Sequence, residues 1–361
     1  MPHCDKAQLS VLLNNQCNLK CGYCYVGDTE RADPTIVDLD FVKCAIKDFF
    51  EKFASRQIRF FGNGEPTLAF TQMQKIRNWV HDITSGNCLF ELQTNGYFSK
   101  KIADWVAKNI TNVWISCDGP PDIQDRYRRT PCGQPTSKIV EGNIRSLAPQ
   151  VPVLGCRATV GGHNVARQKE MIDYFHSLAI RAVMSDPMFA PVKSNGDAPI
   201  QKVDLMEYAR HFLEARKYAE QKGVFYGSIL SVNFDRATQH FCRACIPYPH
   251  LTPDGLVTCC DMACNGDDPK MQDLVYGRYI PSEKRIAYDQ EKIRVITTRT
   301  ADNMPECQDC EVLYNCAGAC LGEALNETGS IFGIKKEVCE AIRFLAQHMP
   351  LNQGTYPFLH P

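Results

Sequence analysis

The most constraining feature of this 361-residue chain is a short run near its start, Cys17-Asn18-Leu19-Lys20-Cys21-Gly22-Tyr23-Cys24. Its three cysteines, at C-x3-C-x2-C spacing, follow an apolar stretch at residues 9–13 that reads as a buried strand. Thiolates so closely spaced in a strand-end loop suit an iron–sulfur cluster. Four-iron clusters normally take four cysteines. A loop with three leaves one iron open, and an open metal position can bind a substrate or cosubstrate. For these cysteines taken alone, a zinc site or chance is the alternative.

The chain holds 19 cysteines and begins without a signal-peptide pattern. A disulfide framework needs an oxidising compartment, so metal or cluster ligation explains this usage better. Cys4, Cys44, Cys88, Cys117, Cys132 and Cys156 lie singly and read as small buried hydrophobes. A formal net charge of -1 gives no electrostatic case for nucleic acid or a membrane surface. No apolar run has the length that spans a bilayer. The expectation is a cytoplasmic protein with neither kind of partner.

Strand and helix patterns alternate up to about residue 230. Strands are expected at residues 9–13, 58–61, 89–93, 113–116, 153–160 and 181–184. Asp40 is expected to cap the first helix, with later helices near 71–83, 100–108, 137–147, 166–178 and 205–221. About six βα units in series imply an α/β fold with a parallel sheet, either a partial (β/α)6 TIM-like barrel or a doubly wound sheet. In both, ligands bind at the C-terminal ends of the strands. Those ends hold the notable residues: the cysteine loop, Gly62-Asn63-Gly64-Glu65-Pro66, Gln93-Thr94-Asn95-Gly96 and Ser116-Cys117-Asp118-Gly119. Residues 225–232 read as a linker. From 233 to 361 cysteines become dense and the alternation stops, which suggests a second, cluster-stabilised domain.

The cysteine loop with Tyr23 before its last cysteine, set after a first strand, resembles the radical S-adenosylmethionine (SAM) superfamily. The resemblance implies that Cys17, Cys21 and Cys24 hold a 4Fe-4S cluster whose open iron chelates SAM. One electron then cleaves SAM to a 5′-deoxyadenosyl radical, which abstracts hydrogen from substrate. Gly62, Gly64 and Glu65 resemble the family's Gly-Gly-Glu-Pro motif at the SAM amino group, with Asn63 where the first family glycine often stands. Ser116 and Asp118 match its Ser-x-Asp-Gly-Pro motif. Arg128 is placed as an arginine near SAM, with Arg126 and Arg129 close enough to exchange for it. Arg157 is a further SAM candidate, or an ion-pair residue at the edge of the core.

Downstream, Cys242-x2-Cys245, Gly255-x4-Cys260, Cys307-x2-Cys310-x5-Cys316-x3-Cys320 and Cys339 resemble the SPASM domain. That resemblance implies two auxiliary 4Fe-4S clusters, one on Cys242, Cys245, Cys260 and Cys320, the other on Cys307, Cys310, Cys316 and Cys339. Together with the N-terminal cluster this makes three. Cys259 could replace Cys260, and Cys264 is unassigned. A zinc reading of the cysteine pairs leaves the N-terminal triad unexplained. Asp261 stands where sulfatase-maturing relatives place a catalytic base; it reads equally well as a turn or supporting carboxylate.

The function implied is oxidative modification of a peptide or protein, such as a thioether or carbon–carbon cross-link in a ribosomally made peptide. An external reductant such as flavodoxin or ferredoxin would supply electrons. The first barrel strand lies so near the chain start that a separate leader-binding domain is not expected, which counts against this assignment. Sulfatase maturation (Cys or Ser to formylglycine) and oxidation or epimerisation of a small molecule are alternatives. A non-catalytic iron–sulfur electron carrier is the alternative of another class.

Overall fold

The computed structural model describes residues 7–24, 26, 34–188, 200–264, 266 and 268–354. Elements follow in the order β1 (Gln8–Leu12), α1 (Leu39–Lys52), β2 (Gln57–Phe61), α2 (Phe70–Ile83), β3 (Leu89–Thr94), α3 (Lys100–Asn109) and β4 (Asn112–Ser116). Next come α4 (Pro121–Tyr127), α5 (Ser137–Leu147), β5 (Val153–Val160), α6 (Gln168–Ser177), β6 (Ala182–Pro187), α7 (Leu205–Gln221) and β7 (Phe225–Gly227). The remainder holds β8 (His250–Leu251), β9 (Leu256–Thr258), β10 (Val275–Ile280), β11 (Arg285–Tyr288), α8 (Gln290–Thr297), α9 (Leu313–Cys316), α10 (Leu321–Thr328) and α11 (Lys336–His348).

Strands β1 to β7 pair in parallel in chain order. This is the partial-barrel arrangement that βα alternation implies. Three details differ from expectation. Helix α4 precedes the helix expected at 137–147. The first helix is capped by Asp38, not Asp40: Asp38 is extended and accepts the Phe41 N–H at 2.8 Å, while Asp40 lies inside the first turn. Residues 225–232 are no linker. Phe225–Gly227 add a seventh parallel strand against β6, and Tyr226, Gly227 and Leu230 are buried.

The cysteine-rich part joins the barrel directly. One 11-stranded sheet runs β11-β10-β9-β8-β1-β2-β3-β4-β5-β6-β7. The joint is β8, only two residues long, which pairs parallel to β1 with His250 opposite Ser10. Helix α11 folds back against α7. The main apolar core is shared, reaching from Leu9 and Phe60 in the barrel to Val257, Leu321 and Leu345 beyond it.

Register decides what faces the barrel interior. Successive side chains of a strand point to opposite faces. Ser10 pairs with Arg59 on one side and His250 on the other, so these three align across adjacent strands. Ser116 pairs with Arg157, which in turn pairs with Met184. Among the described residues no helix is long and apolar enough to cross a membrane.

Candidate active site and cysteine groups

The cysteine loop is tied to two strand-end segments and to the end of α4. Glu65 N–H donates to Gln16 O at 2.6 Å, and Asn14 Nδ2 to Glu65 O at 2.9 Å. Asn18 Nδ2 donates to Tyr97 O at 2.8 Å, and Asn95 Nδ2 to Asn18 Oδ1 at 2.8 Å. Lys20 and Gly22 N–H groups donate to Arg129 O and Tyr127 O at the end of α4, at 2.7 and 3.0 Å. These bonds hold the loop from three sides.

Gly64 makes the first of these contacts possible. A Cβ at this position would lie 1.8 Å from Gln16 O and 2.5 Å from Asn14 Oδ1. Only glycine allows backbone to approach so closely.

Asp118 organises the opposite side. It is fully buried, its Oδ2 accepts from the Tyr23 hydroxyl, and Arg128 Nε lies 3.1 Å from the same oxygen. Its Oδ1 accepts the Thr159 N–H at 2.9 Å. Arg128 also lies over the Tyr23 ring, 5.2 Å from the centroid. Asp118 thus reaches the cavity through Arg128 and Tyr23, which line it.

Glu65 is likewise engaged by the protein. Its carboxylate accepts from Thr67 N, Thr67 Oγ1, Thr94 Oγ1 and Asn95 N at 3.1, 2.7, 2.6 and 2.8 Å. Burial pushes its pKa up, against those four bonds. These bonds join the β2 and β3 ends, and Glu65 also lines the barrel cavity. Asn63, the departure from the family glycine, has its own contact: Nδ2 donates to Cys264 O at 2.9 Å and ties the loop to the C-terminal part.

The triad opens on a cavity of about 1650 Å3 that runs through the barrel interior. Cys17, Cys21, Cys24, Gly62, Gly64, Ser116, Arg128 and Arg157 line it, as do Cys242, Cys260, Cys320 and Asp261. Arg157 Nη2 pairs with Asp186 Oδ2 at 2.9 Å while keeping 39% of its side chain exposed.

The donor set fits a thiolate-held cluster. Cys17 Sγ accepts the Leu19 N–H at 3.4 Å, and Asn95 Nδ2 lies 3.7 Å from it. Hydrogen bonds to cluster sulfurs help set the potential. Burial pushes the Cys21 thiol up to about 12, with Arg128 opposing. Thiols held neutral in this way must lose protons when metal binds.

The other cysteines fall into two groups. Cys242 lies within electrostatic reach of Cys245, Cys320 and Cys260. A hydrogen bond with Cys242, and then Arg299, lower the Cys245 thiol to about 6. Cys316 lies within reach of Cys339, Cys307 and Cys310. Cys259 is fully buried in the apolar core beside Cys245, whereas Cys260 faces Cys320. Cys264 packs with Leu12 and Phe61. Among the described residues, no three His, Cys, Asp or Glu side chains converge on a single metal ion.

Asp261 closes the row formed by Arg59, Ser10 and His250. Its Oδ1 meets Arg59 Nη2 in an ion pair and lies 2.9 Å from His250 Nδ1. Arg59 Nε also donates to Ser10 Oγ at 3.0 Å. Burial would raise the Asp261 carboxyl, but Arg59 and then His250 hold it far below the usual carboxylate range. Burial pushes His250 down, with Asp261 opposing. Beside this row, half-buried Arg243 donates to Gln8 Oε1, and Gln8 Nε2 to Glu91 Oε2 at 3.3 Å. No sequence signal marked His250, a lone histidine in a two-residue strand. Arg243 is hidden inside the Cys242-x2-Cys245 pair.

A strand-end cysteine triad on a parallel partial barrel is the arrangement that the radical SAM resemblance implies. Residues 11–189 match the radical SAM superfamily. The chain belongs to that superfamily and resembles its SPASM-domain subgroup. Among similar proteins is an uncharacterized protein of Methanocaldococcus jannaschii, 29% identical over 181 residues, covering 49% of this chain and 61% of that one. The chain thus spans less than two thirds of that relative. The radical SAM cyclopropyl synthase TigE of Paramaledivibacter caminithermalis is 21% identical over 94% of this chain and 73% of its own. The solved structure of native anSMEcpe with bound AdoMet and Cp18Cys peptide superposes with a TM-score of 0.72, at 17% identity, over 94% of this chain and 96% of that one. At that identity the likeness speaks for the fold. This chain is therefore a radical SAM family enzyme related to peptide modifiers and sulfatase maturases.

Proposed function

We propose that this enzyme binds SAM at the Cys17–Cys21–Cys24 loop and abstracts hydrogen from a residue of a peptide or protein. The outcome is an oxidative modification such as a thioether or carbon–carbon cross-link. The observation that carries this reading is a cavity of about 1650 Å3 lined both by the triad and by Cys242, Cys260 and Cys320. It has room for SAM and an inserted side chain. The peptide bound in the anSMEcpe structure supports the substrate class.

When bound, three 4Fe-4S clusters supply the electron chemistry: at the triad, one electron to split SAM into methionine and the fragment that leaves as 5′-deoxyadenosine; at the two cysteine groups, an acceptor for the substrate's second electron. A flavodoxin or ferredoxin supplies the first electron, and the setting is the cytoplasm. Tyr23, Gly62, Gly64, Ser116, Arg128 and Arg157 border the SAM position. Glu65 and Asp118 hold that border in shape. Asp261 takes the substrate proton. Its contacts fall on Oδ1, which leaves Oδ2 for the substrate. Its depressed basicity restricts it to protons acidified by an adjacent radical centre.

Asp261 also favours a second reading, conversion of a cysteine to formylglycine. The test has two arms. Reduced, reconstituted protein must convert SAM to 5′-deoxyadenosine, and a Cys17→Ala variant must not. A Cys-type sulfatase peptide is then supplied: formylglycine selects the second reading, and its absence removes it.

A further inference from the structure

Arg299 is fully buried, and its guanidinium donates to three backbone carbonyls and a sulfur. The carbonyls belong to Ile331, Ala317 at 3.3 Å and Gly318 at 2.6 Å; the sulfur is Cys245 Sγ at 3.6 Å. Among the described residues no carboxylate pairs with it. A guanidinium stays protonated in proteins. Burying such a cation is costly unless an anion compensates it. Carbonyl dipoles orient the group but carry no net charge. The compensating anion must therefore come from the sulfur side.

The backbone around Arg299 is built to hold it there. Ala317, Gly318 and Ala319 have φ values of +45°, +77° and +57°. Positive φ is unfavourable for alanine and persists only where the surroundings fix it. A Cβ on Gly318 would lie 2.6 Å from Met304 Cε, so the turn is also tightly packed. This turn aims two carbonyls at Arg299 and separates Cys316 from Cys320. Cys316 goes to the group with Cys307, Cys310 and Cys339, and Cys320 to the group with Cys242 and Cys260. Arg299 sits at the joint between them.

We infer that Arg299 is the buried counter-ion of the iron–sulfur cluster held through Cys245, and that its charge raises the reduction potential of that cluster. The inference rests on the proposed ligation of an auxiliary cluster by Cys242, Cys245, Cys260 and Cys320. A cluster with four thiolates carries net negative charge, and reduction adds more. A fixed cation in contact with one ligand sulfur stabilises the reduced form, strongly so where water is excluded. Arg299 is a positioning residue in this account and touches no substrate.

The test uses the full chain, reconstituted anaerobically, as wild type, Arg299→Met and Arg299→Lys. Iron is counted, and reduction is followed by potentiometric titration with electron paramagnetic resonance. Loss of the charge in Arg299→Met is expected to lower one cluster's potential by a tenfold change in its reduced-to-oxidised ratio, about 59 mV for one electron. Arg299→Lys is expected to restore it. Full iron with unchanged potentials in Arg299→Met overturns the inference. Should Arg299→Met lose iron, Arg299→Lys decides: retained iron at the wild-type potential supports the counter-ion role, and loss of iron or a lowered potential overturns it. Wild-type protein with about four irons would instead overturn the ligation reading itself.

Discussion

His250 Nδ1 lies 2.9 Å from Asp261 Oδ1, the oxygen that also meets Arg59. The three residues come from β8, β2 and the turn after β9, so this contact joins the barrel wall to the cysteine-rich part. Replacing Asp261 by Asn leaves Arg59 without its anion. The expected loss of stability is about 1–2 kcal/mol, below the usual figure for a broken buried pair because Asp261 is one third exposed. The folded carboxyl pKa is depressed. Its contribution is therefore complete above the unfolded pKa near 3.9 and fades only as pH falls through the folded value. Denaturant unfolding of wild type and Asp261→Asn should show a gap that does not close from pH 8 to pH 5, since Asp261 favours the charged form of His250 and can only widen it on the acid side. A gap that closes within that range contradicts the pairing.

The Gly64 contact predicts a local failure. An added Cβ 1.8 Å from Gln16 O must displace the backbone one residue before Cys17. Gly64→Ala should lose the triad's iron, about four per chain, while the iron of the other two groups stays. Equilibrium binding of SAM should weaken about tenfold or more. Unchanged iron and SAM affinity would show that the loop yields freely.

Asp118 predicts a broader effect. Asp118→Asn leaves Arg128 buried without its anion, and breaking such a pair costs about 3–5 kcal/mol. Tyr23→Phe removes only one donor to the same carboxylate, which costs about 1 kcal/mol. Denaturant midpoints should fall in that order. Equal effects would mean that Asp118 serves the Tyr23 hydroxyl rather than the ion pair.

Much of this was legible in the sequence because the information is local. Alternating strands and helices, and the C-x3-C-x2-C loop at the first strand end, carry their own periodicity and spacing. Asp40 misled because Asp38 and Asp40 are both plausible caps, and only backbone conformation separates them. Strand β7 was missed because three residues are too few to show a period; its pairing with β6 makes it a strand. His250 and Arg299 were invisible for a related reason. One gains its role from alignment with Ser10 across strands, the other from a turn 18 residues away whose carbonyls it binds. Neither arrangement leaves a mark on neighbouring residues. Glu65 and Asp118 were found through motifs, but their protein partners show that motif residues also shape a site from behind it.

The central claim is that one chain holds an open-iron cluster at the triad and two further clusters in its cysteine groups. Iron and sulfide counting after anaerobic reconstitution tests it most directly, in wild type and in a variant carrying Cys17→Ala, Cys21→Ala and Cys24→Ala. The account predicts about twelve irons per chain in wild type and about eight in the variant. About four irons in wild type, or bound zinc in place of iron, would contradict it.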